Sequence, residues 1–215
     1  MPSTCPSEVD EAVRVGYVVP VSLRPARRRA TYEDLLAVPD HLVAEIVDGE
    51  LITSPRPAIP HANAASALGA DLHGPFQRGR GGPGGWWILF EPELHLGGDV
   101  LVPDITGWRR QRLPVLPDGR FISTAPDWVC EVLSPSTAGL DRVRKLRIYA
   151  RENVGHAWLI DPAGRTLEVL RRQEDRWLLI ATHGGGEQVR AEPFEAIEID
   201  LAALWLPVGT EEPAL

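Results

Sequence analysis

The amino-acid sequence predicts a mixed α/β (α+β) domain, with a central mixed β-sheet flanked by helices. Three observations carry that expectation. Short runs rich in Val, Ile, Leu and Trp, bounded by Gly, Pro and Asp, recur along most of the chain and read as strands. Two or three stretches show the apolar spacing of helices instead. One of these helices links two adjacent strand-like runs, the mark of a mixed sheet. At 215 residues the chain suits one domain with a substantial core.

The elements follow in order. Residues 1–29 read as an arm, punctuated by proline and ending in the basic cluster Arg24, Arg27, Arg28 and Arg29. Thr31 and Asp34 are spaced as a capping box that starts a short helix, and Pro39 stops it. Asp48-Gly49 between two β-prone runs predicts a hairpin with a two-residue turn. Small and apolar residues from His61 to Gln77, among them Ala64, Leu68, Leu72 and Phe76, recur at helical spacing. A glycine-rich loop, 79–85, precedes a strand over 86–90 and lacks the ending of a phosphate-binding P-loop. Strands are then expected at about 101–108 and 127–133, a helix at 140–153, and strands at 156–160, 166–170 and 176–181. The domain is bounded at 30–206, with a tail over 207–215.

Composition narrows the function. The net charge of −8 argues against coating nucleic acid by bulk charge, which requires Lys and Arg. Residues 101–176 nevertheless carry 13 basic against 10 acidic groups, so a local basic region remains available. Two cysteines, Cys5 and Cys130, form no disulfide framework, and Cys130 reads as a buried thiol. No apolar run is long enough to span a membrane, and no signal sequence is evident, so a cytoplasmic protein is expected. Six histidines without helical pairing make a histidine-built zinc site a poor fit. The seven tryptophans read as core or interface aromatics, with base stacking by Trp108 beside Arg109, Arg110 and Arg112 as a lesser alternative.

What remains is a set of carboxylates in apolar surroundings and one lysine. Of the 22 basic residues only Lys145 is lysine, a compact ammonium where guanidinium would not serve; an ordinary surface bridge to Asp141 is the bland alternative. Asp104, in Val102-Pro103-Asp104-Ile105, and Glu131, in Trp128-Val129-Cys130-Glu131-Val132-Leu133, each put a carboxylate in an apolar strand. Such groups are costly unless paired or bound to a cation, and oxygen-only ligands suit Mg2+ or Mn2+. Lys145, on the helix after the Glu131 strand, can bring its ammonium back toward that edge.

These residues carry a resemblance. Pro103-Asp104, Glu131-Val132-Leu133-Ser134-Pro135-Ser136-Thr137, Asp141…Lys145…Tyr149-Ala150 and Trp158-Leu159-Ile160-Asp161-Pro162 together resemble the Uma2 (DUF820) family of restriction-endonuclease-like proteins. Glu45-Ile46-Val47-Asp48-Gly49-Glu50-Leu51 and the helix opening at His61 fit the same pattern. The resemblance implies the PD-(D/E)xK nuclease superfamily, with a mixed sheet flanked by helices and a divalent-metal site. It departs from the superfamily in one respect: the lysine expected two positions after the second acid is Leu133 here, and Lys145 stands in for it.

The resemblance implies metal-dependent phosphodiester hydrolysis, foremost a DNA endonuclease. Asp104 and Glu131 would hold Mg2+ or Mn2+, with the backbone carbonyl of Val132 as a third ligand, and Lys145 would assist the attacking water. Glu45 matches the family's upstream acid, or is an outward-facing hairpin carboxylate. His61 and Ser134 are auxiliary candidates, a helix-opening histidine and a serine that would cap the following helix in any case. The expected partner is nucleic acid, no membrane is expected, and a homodimer is left open. Two alternatives stand beside this: a non-catalytic homodimeric binding module using exposed tryptophans and the acidic C-terminus, and a hydrolase of small phosphodiesters.

Overall fold

The structure, a computed structural model, describes residues 28–207. All of the expected arm except Arg28 and Arg29, and all of the tail except Pro207, lie outside the described residues. The chain opens with helix α1 (Tyr32–Leu36), begun by the expected capping box: the Thr31 N–H donates to Asp34 at 2.8 Å, and the Asp34 N–H reaches back to the Thr31 hydroxyl at 3.4 Å. A hydrogen bond from Arg28, together with the one from the Thr31 backbone, holds the Asp34 carboxyl down at about 2.

Strands β1 (Leu42–Val47) and β2 (Glu50–Pro55) form the expected hairpin. Asp48 and Gly49 both take positive φ, 54° and 81°, as a type I′ turn requires. Helix α2 (Ile59–Leu72) starts two residues earlier than expected, because Pro60 fits a first turn where its missing N–H costs nothing. It continues as a π-helical turn, His73–Gln77.

Strands β3 (Trp86–Phe90), β4 (Glu93–Leu96), β5 (Asp99–Leu101), β6 (Ile105–Arg109), β7 (Phe121–Ile122) and β8 (Trp128–Val132) come next. A short helix α3 (Ala138–Leu140), a π-helical turn (Asp141–Lys145) and helix α4 (Leu146–Arg151) then cross over to β9 (His156–Asp161), which lies parallel to β8. Strands β10 (Thr166–Gln173), β11 (Arg176–Gly184), β12 (Gln188–Val189) and β13 (Ile199–Asp200) complete the set. A 3-10 turn, Leu201–Leu204, follows β13.

The fold is α+β, as expected, but its sheet is divided. Six strands run in the order β11-β10-β9-β8-β6-β3, and five in the order β2-β1-β5-β4-β7, with β12 and β13 as a separate pair. The expected strand over 101–108 is really two strands. Leu101 pairs with Leu94 in the smaller sheet, whereas Ile105 pairs with Phe90 and Cys130 in the larger one. Between them Pro103 offers no N–H to either ladder, so the chain leaves one sheet and enters the other at Val102-Pro103-Asp104. Asp104 therefore sits in the bend between strands rather than within one, correcting the sequence expectation.

Both faces of the larger sheet are covered. Ala64, Leu68, Leu72 and Phe76 of α2 pack on one face against Trp86, Ile88, Trp128 and Trp158. The smaller sheet and α4 cover the other, where Val47, Leu94, Leu101, Trp108, Val129, Tyr149 and Leu159 meet. Strand β8 is buried along its whole length and alternates between the two cores, as a strand must. Cys130 is fully buried, and burial pushes its thiol well up. None of the seven tryptophans is exposed. Trp108 is wholly enclosed and donates its indole N–H to the Thr124 carbonyl at 2.8 Å, which removes it from any role in base stacking. The exposed-tryptophan contact surface of the binding-module alternative is likewise absent among the described residues.

Candidate functional site

Strand alternation decides where Glu131 points. Trp128, Cys130 and Val132 face α2, so Glu131 faces the opposite side, toward the crossover segment that carries Lys145 and Tyr149. Asp141, Lys145 and Tyr149 fall one turn apart along that segment. The hairpin brings Glu45 of β1 in from the smaller sheet, and Arg144 braces it by bridging to Asp48 at 3.2 Å and Glu50 at 2.9 Å. The bend at the sheet junction supplies Asp104, and the first turn of α2 supplies His61.

These side chains converge. The Lys145 Nζ lies 2.9 Å from Glu131 Oε1, 3.1 Å from Glu45 Oε1 and 3.5 Å from Asp141 Oδ1. Tyr149 donates its hydroxyl to Glu131 Oε1 at 2.6 Å, and the Val102 N–H donates to Glu45 Oε1 at 2.8 Å. Asp104 accepts the Val132 N–H at 2.6 Å through Oδ2, while its Oδ1 lies 3.2 Å from His61 Nε2. The other imidazole nitrogen, Nδ1, is buried with no hydrogen-bond partner. Glu45, His61, Asp104, Glu131, Asp141 and Lys145 line one cavity of about 310 Å3.

Burial is deep. The Lys145 and Glu131 side chains are 3% and 4% exposed, against 15% for Asp104. Burial pushes the Glu131 carboxyl well up despite Lys145, and the neighbouring Asp141, Asp104 and Glu45 push the same way. Asp141 is raised for the same reasons, burial first. Burial alone would lower Lys145, but Glu131, Glu45 and Asp141 outweigh it, so the ammonium holds its proton more tightly than usual. His61 is also raised: burial opposes this, and its contact with Asp104 overcomes it. Four carboxylates thus face one ammonium and one imidazole, an excess of negative charge in a confined space.

The sequence-predicted set is therefore brought together: Asp104, Glu131, Lys145 and Glu45 all reach the cavity, and Glu45 is 7% exposed rather than outward-facing. Val132 contributes its N–H to Asp104 and lines the same space. Ser134 lies at the rim, its hydroxyl engaged with Ser136, Thr137 and the Thr137 N–H; it does not cap α3, whose N-cap is Thr137 without a side-chain hydrogen bond, which corrects the expectation. The Asp141–Lys145 pair is buried, which overturns its reading as a surface bridge. Two residues quoted in the family motif were not assigned to the site by the sequence reading: Asp141, a third carboxylate on Lys145, and Tyr149, a donor to Glu131. Their i, i+4, i+8 spacing with Lys145 was the available signal. Among the described residues no three His, Cys, Asp or Glu side chains are grouped to enclose a metal ion.

Over residues 29–203 the chain matches the Uma2 family, described as "Putative restriction endonuclease". It is similar in fold to a crystal structure from Anabaena variabilis ATCC 29413, described as a putative nuclease belonging to DUF820. The TM-score is 0.65 at 22% identity, over 81% of this chain and 97% of that one. No curated protein matches it.

Proposed function

The chain belongs to the Uma2 family, and from that premise we propose that it is a divalent-metal-dependent phosphodiester hydrolase, foremost a DNA endonuclease. One observation carries the reading: Asp104, Glu131 and Lys145, distant in sequence, line the same cavity. The donors suit Mg2+ or Mn2+ in kind and charge. Hard carboxylate oxygens are in excess over cations, and Mg2+ is commonly held by only one or two carboxylates, with waters completing its shell. Asp104 and Glu131 would hold the ion, with the Val132 carbonyl as a further ligand. When bound, such an ion supplies Lewis-acid polarisation of phosphoryl oxygens and neutralises charge in the transition state.

The chain's own residues do the rest. His61 and the Val132 N–H fix the two oxygens of Asp104 in orientation. Tyr149 does the same for Glu131. Lys145 has three donors facing three carboxylates, and the longest contact, to Asp141, is the one most readily surrendered to a water or a phosphate oxygen. Its raised pKa keeps it cationic, so it orients the water and stabilises developing negative charge.

The test is incubation with single- and double-stranded DNA in Mg2+ or Mn2+. Cleavage should require the metal and fall at least about 100-fold in Asp104→Asn, the scale of losing a principal charge-stabilising group. No cleavage, or cleavage indifferent to Asp104→Asn in a folded variant, overturns the reading. The depth and modest volume of the cavity favour a second one, hydrolysis of a small phosphodiester. In that case duplex DNA would not compete with bis(p-nitrophenyl) phosphate.

A further inference from the structure

The Arg-rich stretch around Trp108 is left over once the cavity is accounted for. Arg109 and Arg110 lie at the far end of β6 from Asp104. Five residues at the strand rise put them about 16 Å away. Here the guanidinium of Arg109 sits over the Trp86 ring at 4.6 Å, and that of Arg110 over Trp87 at 3.9 Å. Arg110 is locked further by donating to the Trp86 carbonyl at 3.2 Å and the Gln77 carbonyl at 3.0 Å. That second bond brings in Arg78, the next residue, and Arg80, whose N–H donates to the Gly74 carbonyl at 2.9 Å. The Arg112 N–H donates to the Arg109 carbonyl at 2.9 Å.

Arg78, Arg80, Arg109 and Arg112 are all exposed. Among the described residues only Arg112 of the five is in an ion pair, with Asp127 at 3.0 Å. Glu195 shares a cavity of about 330 Å3 with Arg109 and Trp86, and Glu192 lies 3.4 Å from His156 beside them. So a protein of net charge −8 gathers five arginines around Trp86 and Trp87, with Asp127, Glu192 and Glu195 as the acids beside them. Two of the arginines are stacked on indoles, which fixes the planar forks in advance.

We propose that Arg78, Arg80, Arg109, Arg110 and Arg112 form a docking surface for the phosphate backbone of a nucleic acid, separate from the catalytic cavity. Arginine suits this partner because its planar fork meets two phosphate oxygens at once. The direct line runs along β6, where residues 105–108 are buried, so a strand bound at both places must pass around the edge strand β3. The identity of the partner rests on the nuclease reading; the surface itself does not.

The experiment separates the two. The full chain, metal-free, is titrated against a fluorescein-labelled 20-nucleotide DNA, single-stranded and duplex, by anisotropy over a range of salt. Arg78→Gln/Arg80→Gln/Arg109→Gln should weaken binding at least tenfold at low salt. It should also flatten the slope of log K against log salt by about 2 to 3, since each phosphate contact contributes roughly 0.7 to 0.9. Arg147→Gln/Arg165→Gln, on α4 and in the turn between β9 and β10 at the opposite end of the larger sheet, should change neither. The triple variant should still hydrolyse bis(p-nitrophenyl) phosphate at the wild-type rate, which shows that its cavity is intact. Unchanged DNA binding in the triple variant, or an equal loss in the control pair, overturns the docking surface. Absence of hydrolysis in every protein counts against the function proposed for the cavity, and the binding comparison decides the docking surface regardless.

Discussion

Lys145 stands among more negative charge than one ammonium neutralises, and its removal is the sharpest test of the cluster. Lys145→Met should cost about 3 kcal/mol of stability by urea denaturation, because carboxylates already taken out of water lose their counter-charge. Adding Glu131→Gln to it should restore part of that loss, since the double variant removes both members of the closest pair. The pH dependence has a defined sign. Glu131 and Asp141 have folded pKa values above their ordinary 4.5 and 3.8, so the folded protein takes up protons. Their favourable contribution is complete below those values and is lost as the pH rises toward the folded ones. Lys145, raised above its ordinary 10.5, keeps its favourable contribution up to that value and loses it only beyond, in the same direction. The urea midpoint of the metal-free wild type should therefore fall relative to that of Glu131→Gln as the pH rises above 4.5. Asp104, Glu131 and Lys145 were legible in the sequence because a charged residue in an apolar run is conspicuous. Tyr149 and Asp141 were not, because a helical tyrosine or aspartate looks the same in a core, on a surface or in a cluster.

Elements defined by local chemistry were readable in advance. The α1 capping box, the Asp48-Gly49 turn and the apolar run of β8 each depend on residues a few positions apart. Gly49 shows how strict such a signal is. Its φ of 81° lies where an L side chain is strained, so Gly49→Ala should cost about 1–2 kcal/mol, measurable as a lowered thermal midpoint. The Cβ would also approach Arg29 Nε at 2.7 Å, the far end of a flexible side chain that can move aside. Other features escaped the sequence because a distant partner decides them. The split between β5 and β6 follows from which sheet each half joins, and the apolar pattern is continuous across it. The π-helical turn at Asp141–Lys145 is also silent in the sequence; the Leu146 N–H reaches back five residues to the Asp141 carbonyl.

For the molecule as a whole, the cavity lies where two sheets and two helical segments meet, so binding a cation there should be felt globally. Mn2+ at about 100 times its dissociation constant should raise unfolding free energy by about 2.7 kcal/mol, and Asp104→Asn should remove the increment. That readout is thermodynamic and needs no substrate. The same geometry bears on how the chain comes into being. Synthesis delivers Glu45 first, then Asp104 and Glu131, and the neutralising ammonium of Lys145 only afterwards. Until then Asp104 has His61, but Glu45 and Glu131 have no counter-ion from this cluster, and enclosing them would carry the full penalty of burying unpaired charge. Domains close as units once their elements have emerged from the ribosome. A nascent chain thus keeps Glu45 and Glu131 in water until Lys145 has been made, and the pocket closes around them only when the crossover segment arrives. The order of residues along the chain acts as a timer that delays assembly of the cavity until the segment carrying Lys145 has emerged.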